Sequence, residues 1–451
     1  MNNLLLDVAT RGSKYIDKLP ERRVSPSPEA VERLAALDVP LQDEPLDPVS
    51  VLAELDEIGS PATLASTGGR FFGFVVGGCL PAAMGANMLA SVWDQNAGYD
   101  VLSPVATKLE NVCMKWLISI FGLPEEAGAG FVTGATMANF SGLAAARHAL
   151  LAQEGWDVEA QGLFSAPPVT VIVGDEVHVS VLKALSMLGF GRERVTRVPV
   201  DRQGRMRADA LPPISGPTIV CIQAGNVNTG AFDPAEEIIQ GAHQSGAWVH
   251  VDGAFGLWAL ATPGRAQLAR GVDQADSWAT DAHKWLNVPH DSGIVFVRQA
   301  EHLYAAMSAR AAYLIAGQQR EPCHYTPEFS RRARGIEVWA ALRSLGRSGL
   351  AEQIERNCQL AAQFAEGLRK DSYEILNEVV LNQVLVSFGD PETTRRVIQR
   401  LQADGTAWFG GTEWQGRTAM RISVSSWATT EADVEKSLEA ILRIAKEERG
   451  G

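Results

Sequence analysis

Lys284 lies in the run TDAHKWLNVPHDSG, between His283 and Trp285. An ammonium beside aromatic and apolar neighbours is easily desolvated, which disfavours its charged form and leaves an amine able to attack a carbonyl. The plain alternative is a surface lysine, and its neighbours weigh against that. Asp252 stands 32 positions earlier, closing the apolar run WVHV in VHVDGAFG. A carboxylate there can hold a protonated ring nitrogen, or it can cap the next helix. Ala254, two residues on, is small enough for a flat ring to lie against it. His178, in GDEVHVSV, follows a third apolar run, VTVIVG. Its imidazole can stack on a ring, or backbone groups at a helix start can satisfy it.

Thr133-Gly134-Ala135-Thr136 joins a strand pattern to a helical one. Small residues let backbone N–H groups approach an anion at an electropositive helix start, and Thr136 adds a hydroxyl. The simpler reading is a helix N-cap supplied by Thr133 or Thr136. Together the four places offer an anion cradle, a stacking ring, a carboxylate for a pyridinium and a nucleophilic amine. Those are the needs of pyridoxal 5'-phosphate, with the lysine holding the aldehyde and the aspartate keeping the ring an electron sink.

These residues need a scaffold that ends strands near one another. Short apolar runs predict strands over Gly130–Thr133, Val169–Gly174, Arg194–Val200, Thr218–Gln223, Trp248–Val251, Ser277–Thr280 and Gly293–Val297. Helical patterns lie between some of them, over Ala135–Leu151 and Val179–Leu188. Strands alternating with helices predict a mostly parallel sheet covered on both faces, with ligands at the strand carboxyl ends. The expected organisation is an arm over residues 1–60, a large domain over 61–310, a loop over 311–334 and a small α+β domain over 335–451. In the last part, helices are predicted over Gly335–Leu345, Ala351–Arg369 and Glu431–Glu447. Strands are predicted there over Glu374–Asn377, Val384–Phe388 and Met420–Val424. The loop carries Tyr313, Gly317, Gln318, Gln319, Pro322 and Pro327, and its length suits a mobile functional segment. The Pro-rich arm is expected to pack on a second subunit.

Composition narrows the class. The chain has 451 residues and a net charge of −13, a balance that disfavours nucleic-acid binding. Its five cysteines include no CxxC pair, which fits reduced thiols in a cytoplasm better than a disulfide framework or a zinc site. No secretion signal is read at the N-terminus, and no run approaches the roughly 18 apolar residues of a membrane span. There is no GxxxxGK[ST], HExxH or GxSxG motif, and Gly128, Gly130 and Gly134 are spaced one residue too long for the dinucleotide fingerprint.

On the HKW box, the VDGAFG box and the GDEVH histidine, in this order and spacing, the chain resembles the pyridoxal-phosphate-dependent group II amino-acid decarboxylases, such as those acting on aromatic amino acids, histidine and glutamate. The likeness spans most of residues 50–450. It implies a type I aminotransferase-like α/β fold: a large domain with a mostly parallel seven-stranded sheet and a small α+β C-terminal domain. It also implies a homodimer with shared active sites, an amino-acid substrate and loss of carbon dioxide to give the amine. By resemblance, Lys284 would hold the cofactor aldehyde as a Schiff base and Asp252 would pair with the pyridine nitrogen. Ala254 and His178 would flank the ring, and Ala135, Thr136 and His283 would hold the phosphate. Asn228 or Asn226 would lie near the ring hydroxyl, and Phe71, Phe72 and Phe74 would line the substrate pocket.

The loop departs from that pattern. Counting back from Arg331-Arg332, the family's proton-donating tyrosine falls on Cys323, within REPCHYTPEFSRR. Tyr325 or His324 then takes over the protonation of Cα. The alternative is altered chemistry, either oxidation to an aldehyde or carbon–carbon cleavage on the same scaffold. Asp94 reads as an interface contact or a reader of a cationic substrate, and Arg421 as a carboxylate binder or a structural ion pair. Asp281 is expected to bond backbone, because an anion there would repel phosphate. Trp414 and Trp427 are expected in a core or an interface.

Overall fold

The structure, a computed structural model, describes residues 2–309 and 320–450. Of the loop residues named above, Tyr313, Gly317, Gln318 and Gln319 lie outside them. The chain gathers into two compact units. One comprises Met1–Val76, Leu360–Leu376 and Val384–Gly451, the other Gly77–Gln359 and Asn377–Gln383.

The larger unit is built on seven strands: β1 (Gly128–Val132), β2 (Thr170–Gly174), β3 (Thr196–Val198), β4 (Thr218–Gln223), β5 (Trp248–Asp252), β6 (Ser277–Asp281) and β7 (Gly293–Val297). They lie in the order β1-β7-β6-β5-β4-β2-β3. Strands β2 to β6 pair in parallel, whereas β7 runs antiparallel to both β6 and β1. Every residue of β1, β4, β5, β6 and β7 is buried, and most of these strands read as apolar runs with few interruptions rather than as an alternation.

The helix Ala135–Gln153 buries a face rich in alanine, and its Gly142 marks a close approach. A Cβ at Gly142 would stand 2.8 Å from His250 Cε1 of β5, so only glycine lets this helix settle against the sheet there. The long helix Gly335–Lys370 breaks at Gly346, where φ is 62°, matching the two helices expected on either side.

The other unit contains the helices Asn2–Lys18, Pro28–Glu32 and Pro48–Ala62 of the arm. It also contains most of a second sheet: β8 (Glu374–Ile375), β9 (Gln383–Ser387), β10 (Gly410–Trp414) and β11 (Arg417–Ser423), in the order β10-β11-β9-β8. The helices Pro391–Asp404 and Glu431–Gly450 complete it. Phe72 is buried here between Phe409, at 5.4 Å between ring centroids, and Phe364, at 4.9 Å. Phe71 and Phe74 both stack on Trp408. Trp414 packs with Leu385 and Ala419 in a small core, as expected. No helix among the described residues is long and apolar enough to cross a membrane.

Candidate active site

The larger unit brings its polar chemistry to one rim of the sheet. β5 and β6 pair in parallel, so they release Asp252 and the Asp281–Lys284 turn on the same side. The helix Ala135–Gln153 starts after β1, and the helix Val179–Met187 starts after β2.

Asp252 is 5% exposed. Its Oδ1 accepts the Ala254 N–H at 3.2 Å and its Oδ2 accepts from Asn139 Nδ2 at 3.2 Å, with the Ser180 hydroxyl 3.5 Å away. His178 caps its helix: Nδ1 accepts from the Ser180 N–H at 3.3 Å and lies 2.7 Å from the Ser180 hydroxyl. With one proton to give, the Ser180 hydroxyl serves His178 Nδ1 at 2.7 Å rather than Asp252. With Nδ1 an acceptor, the neutral ring carries its proton on Nε2.

A second row of groups lies behind Asp252. Asn139 Oδ1 is 2.8 Å from His250 Nε2, His250 Nδ1 is 2.8 Å from Ser277 Oγ, and the Trp248 indole N–H donates to Ser277 Oγ at 2.9 Å. The amide oxygen of Asn139 can only accept, so Nε2 of His250 is the donor and Nδ1 the acceptor. Ser277 then donates to Nδ1 and accepts from Trp248. All donors point the same way, from Trp248 through Ser277, His250 and Asn139 to the carboxylate. Burial lowers the His250 pKa to about 4 despite nearby Asp252, which keeps the ring neutral in this chain of bonds.

Lys284 Nζ pairs with Asp281 Oδ2 at 3.0 Å. Asp281 is 2% exposed; its Oδ1 accepts the Ala135 N–H at 2.6 Å and lies 3.6 Å from His283 Nε2. The expected backbone bond of Asp281 is present, together with two partners the sequence did not signal. The cap on this helix is thus the Asp281 carboxylate rather than Thr133 or Thr136, and the Thr136 hydroxyl has no hydrogen-bond partner among the described residues. His283 Nδ1 accepts the Ser292 N–H at 3.2 Å, and its ring stacks on His290 at 4.3 Å. Burial, partly opposed by Asp281, lowers the His283 pKa to about 4. A Cβ at Gly77 would fall 1.7 Å from the Lys284 carbonyl oxygen, so a glycine is needed where the chain crosses this turn.

The remaining candidates divide. Asn226 is buried, with Oδ1 accepting the Asn228 N–H at 2.8 Å and Nδ2 donating to Glu176 at 3.1 Å. Its side chain holds its own turn. The Tyr325 ring lies 3.9 Å from the Arg320 guanidinium and edge-on to Tyr304. Cys323 is buried, and its Sγ is 3.9 Å from His324 Nδ1. Arg320 donates to the Ala129 carbonyl, and Arg331 donates to the Phe131 carbonyl at 2.6 Å while pairing with Glu110 at 2.8 Å. Asp94 is exposed at the end of the helix Pro81–Trp93, and Arg421 is half-buried on β11.

The donor set suits pyridoxal phosphate. A buried carboxylate backed by aligned donors, a small residue beside it, an amine on the same rim, and a helix start flanked by a neutral imidazole match ring nitrogen, ring face, aldehyde and phosphate. Sheet, lysine and aspartate together fit a pyridoxal-phosphate enzyme. The chain belongs to the family described by the pyridoxal-dependent decarboxylase conserved domain, which matches residues 28–389, and it is a pyridoxal-phosphate-dependent amino-acid decarboxylase.

Among its relatives, an aromatic-L-amino-acid decarboxylase of Bacillus atrophaeus is 27% identical over 77% of this chain and 74% of the relative. A 4-hydroxyphenylacetaldehyde synthase of Rhodiola rosea is 27% identical over 74% of this chain and 72% of that protein. The crystal structure of Oryza sativa TDC with PLP and tryptamine superposes with a TM-score of 0.90, covering 99% of this chain and 97% of that one at 23% identity. At that identity the superposition speaks to the fold, the type I α/β arrangement expected from the sequence.

Proposed function

We propose that the enzyme converts an L-amino acid to its amine and carbon dioxide through covalent capture of the cofactor by Lys284. The observation that carries this reading is the placing of Lys284 and a braced Asp252 at the ends of adjoining parallel strands. Pyridoxal phosphate, when bound, supplies an aldehyde for that capture and a ring that accepts the electrons left when the carboxylate departs. Asp252 holds a proton at the ring nitrogen, and its two donors keep the carboxylate aimed. His178 and Ala254 flank the ring. Ala135, Thr136 and His283 serve the phosphate, and Asn228 contacts the ring substituents.

Protonation of Cα is assigned to Tyr325 or His324, in a cytoplasmic homodimer with shared active sites. The exposed apolar residues of the arm, among them Leu6, Leu41 and Leu55, support the homodimer, and five cysteines with no disulfide among the described residues suit a reducing compartment.

A second reading is oxidation to an aldehyde. Its support is Cys323 at the place of the family's loop tyrosine, with Tyr325 held by Arg320 and Tyr304. Product analysis decides between the readings. The purified protein with pyridoxal phosphate is given a pool of L-amino acids under air and followed by mass spectrometry. An amine equal to substrate minus carbon dioxide is the expected product. An aldehyde with ammonia and peroxide would replace the first reading by the second, and cleaved carbon fragments would point to lyase chemistry.

A further inference from the structure

Asp281 places an anion where an anion is to bind. Its Oδ1 accepts the Ala135 N–H at 2.6 Å, the first free donor of the helix Ala135–Gln153. Its Oδ2 is 3.0 Å from the Lys284 ammonium. His283 Nε2, the other donor expected to meet phosphate, is 3.6 Å from the same carboxylate, and His290 stacks on the far side of that ring. The first N–H of the helix and the lysine are therefore both engaged by one side chain that is 2% exposed.

We propose that Asp281 is a resident competitor for the cofactor's phosphate, holding the helix start and Lys284 between loadings and setting the affinity for phosphorylated ligands. This rests on the reading that pyridoxal phosphate binds at this rim.

Two charges about 4 Å apart interact strongly even at an effective dielectric constant of roughly 20, and Asp281 is too buried to be screened by salt as a surface carboxylate would be. A phosphate reaching the Ala135 N–H meets the carboxylate at contact distance, so its use of that donor requires Oδ1 to give up this bond. When Lys284 carries no covalent partner, Asp281 would stand beside it as a counter-ion.

The contribution of the phosphate can be isolated by comparing two ligands that share a ring and an aldehyde. Dissociation constants for pyridoxal phosphate and for unphosphorylated pyridoxal are read from quenching of tryptophan fluorescence, with Trp285 next to the lysine as reporter. In Asp281→Asn, the amide oxygen still accepts the Ala135 N–H, but the negative charge is gone. The expected result is a preference for the phosphorylated ligand raised by about tenfold over the wild type, a free-energy change of about 1.4 kcal/mol. Inorganic phosphate should likewise compete with pyridoxal phosphate at lower concentration in the variant.

An unchanged or reduced preference overturns the proposal. A parallel loss of both ligands, with the ratio constant, would show that Asp281 only positions Lys284, and that too overturns it. Asp281→Ser provides the same ratio should the asparagine variant not fold. Failure of the underlying reading is seen separately: the wild type would then develop no visible absorbance band with pyridoxal phosphate, whatever the ratio.

Discussion

Lys284 and Asp252 do different work, and single substitutions separate them. Lys284→Ala should abolish the visible band of covalently held cofactor, and borohydride treatment should then fix no cofactor to the chain. Persistence of a covalent adduct would move the nucleophile to another residue. Asp252→Ala removes the group at the ring nitrogen, so turnover should fall by roughly 100-fold or more while some cofactor is retained. An active Asp252→Ala enzyme would show that ring protonation does not depend on this carboxylate. These residues were legible in the sequence because each follows an apolar run within a few positions, so the strand itself advertises them. The groups beside Asp252 were not: Asn139 is 113 positions away and Ser180 is 72. Asn139 did carry a weak signal, a polar residue one turn into an alanine-rich helix that starts beside the expected phosphate site. For Asp281 the sequence pointed to a backbone bond but not to its partner, since Ala135 lies 146 residues away.

Elements matter here through the bonds between them. The helix Ala135–Gln153 is joined to β5 and β6 by Asn139, His250 and Ser277, which also fix the direction in which the carboxylate is braced. His250→Phe leaves the Asn139 oxygen and the Ser277 hydroxyl without this partner and should weaken cofactor binding as well as stability, whereas His250→Gln should restore part of both. Equal cofactor spectra across pH in wild type and His250→Phe would reduce this row of bonds to simple packing. Acid sensitivity follows with a definite sign. His250 and His283 have folded-state pKa values lowered from 6.5 to about 4, so the unfolded chain binds more protons than the folded one between those values. Stability is full above about pH 6.5 and is lost as pH falls toward 4, with a contribution from His250 on the order of 3 kcal/mol. Denaturant titrations from pH 7 to 4 should show that slope, and His250→Gln should flatten it. The central strands of the large sheet were readable from composition because burial on both faces leaves no alternation to misjudge. β10, with the pattern GGTEW, escaped because a half-exposed glycine pair does not look like a strand.

At the scale of the whole molecule, the exposed apolar residues of the arm lead to an expectation about assembly. Sedimentation of the purified protein should show a dimer, and removing residues 2–18, the first helix, should shift the population toward monomer. A wild-type monomer at micromolar concentration with full activity would contradict shared active sites. The buried ion pair of Arg331 with Glu110 supports another test. Glu110→Gln strands a buried cation and should cost about 3–5 kcal/mol, whereas replacing both partners by apolar residues should be far milder. The same arginine, with Arg320, covers the carbonyls of β1, which stands at the rim of the seven-stranded sheet. An uncovered rim is a template on which a foreign strand can dock, and two guanidinium groups deny it that foothold. The arginines that root the segment before the small domain are therefore guards against aggregation. Anyone grafting a different loop between the helix Ala300–Met307 and Arg320 to change the chemistry would do well to leave both in place.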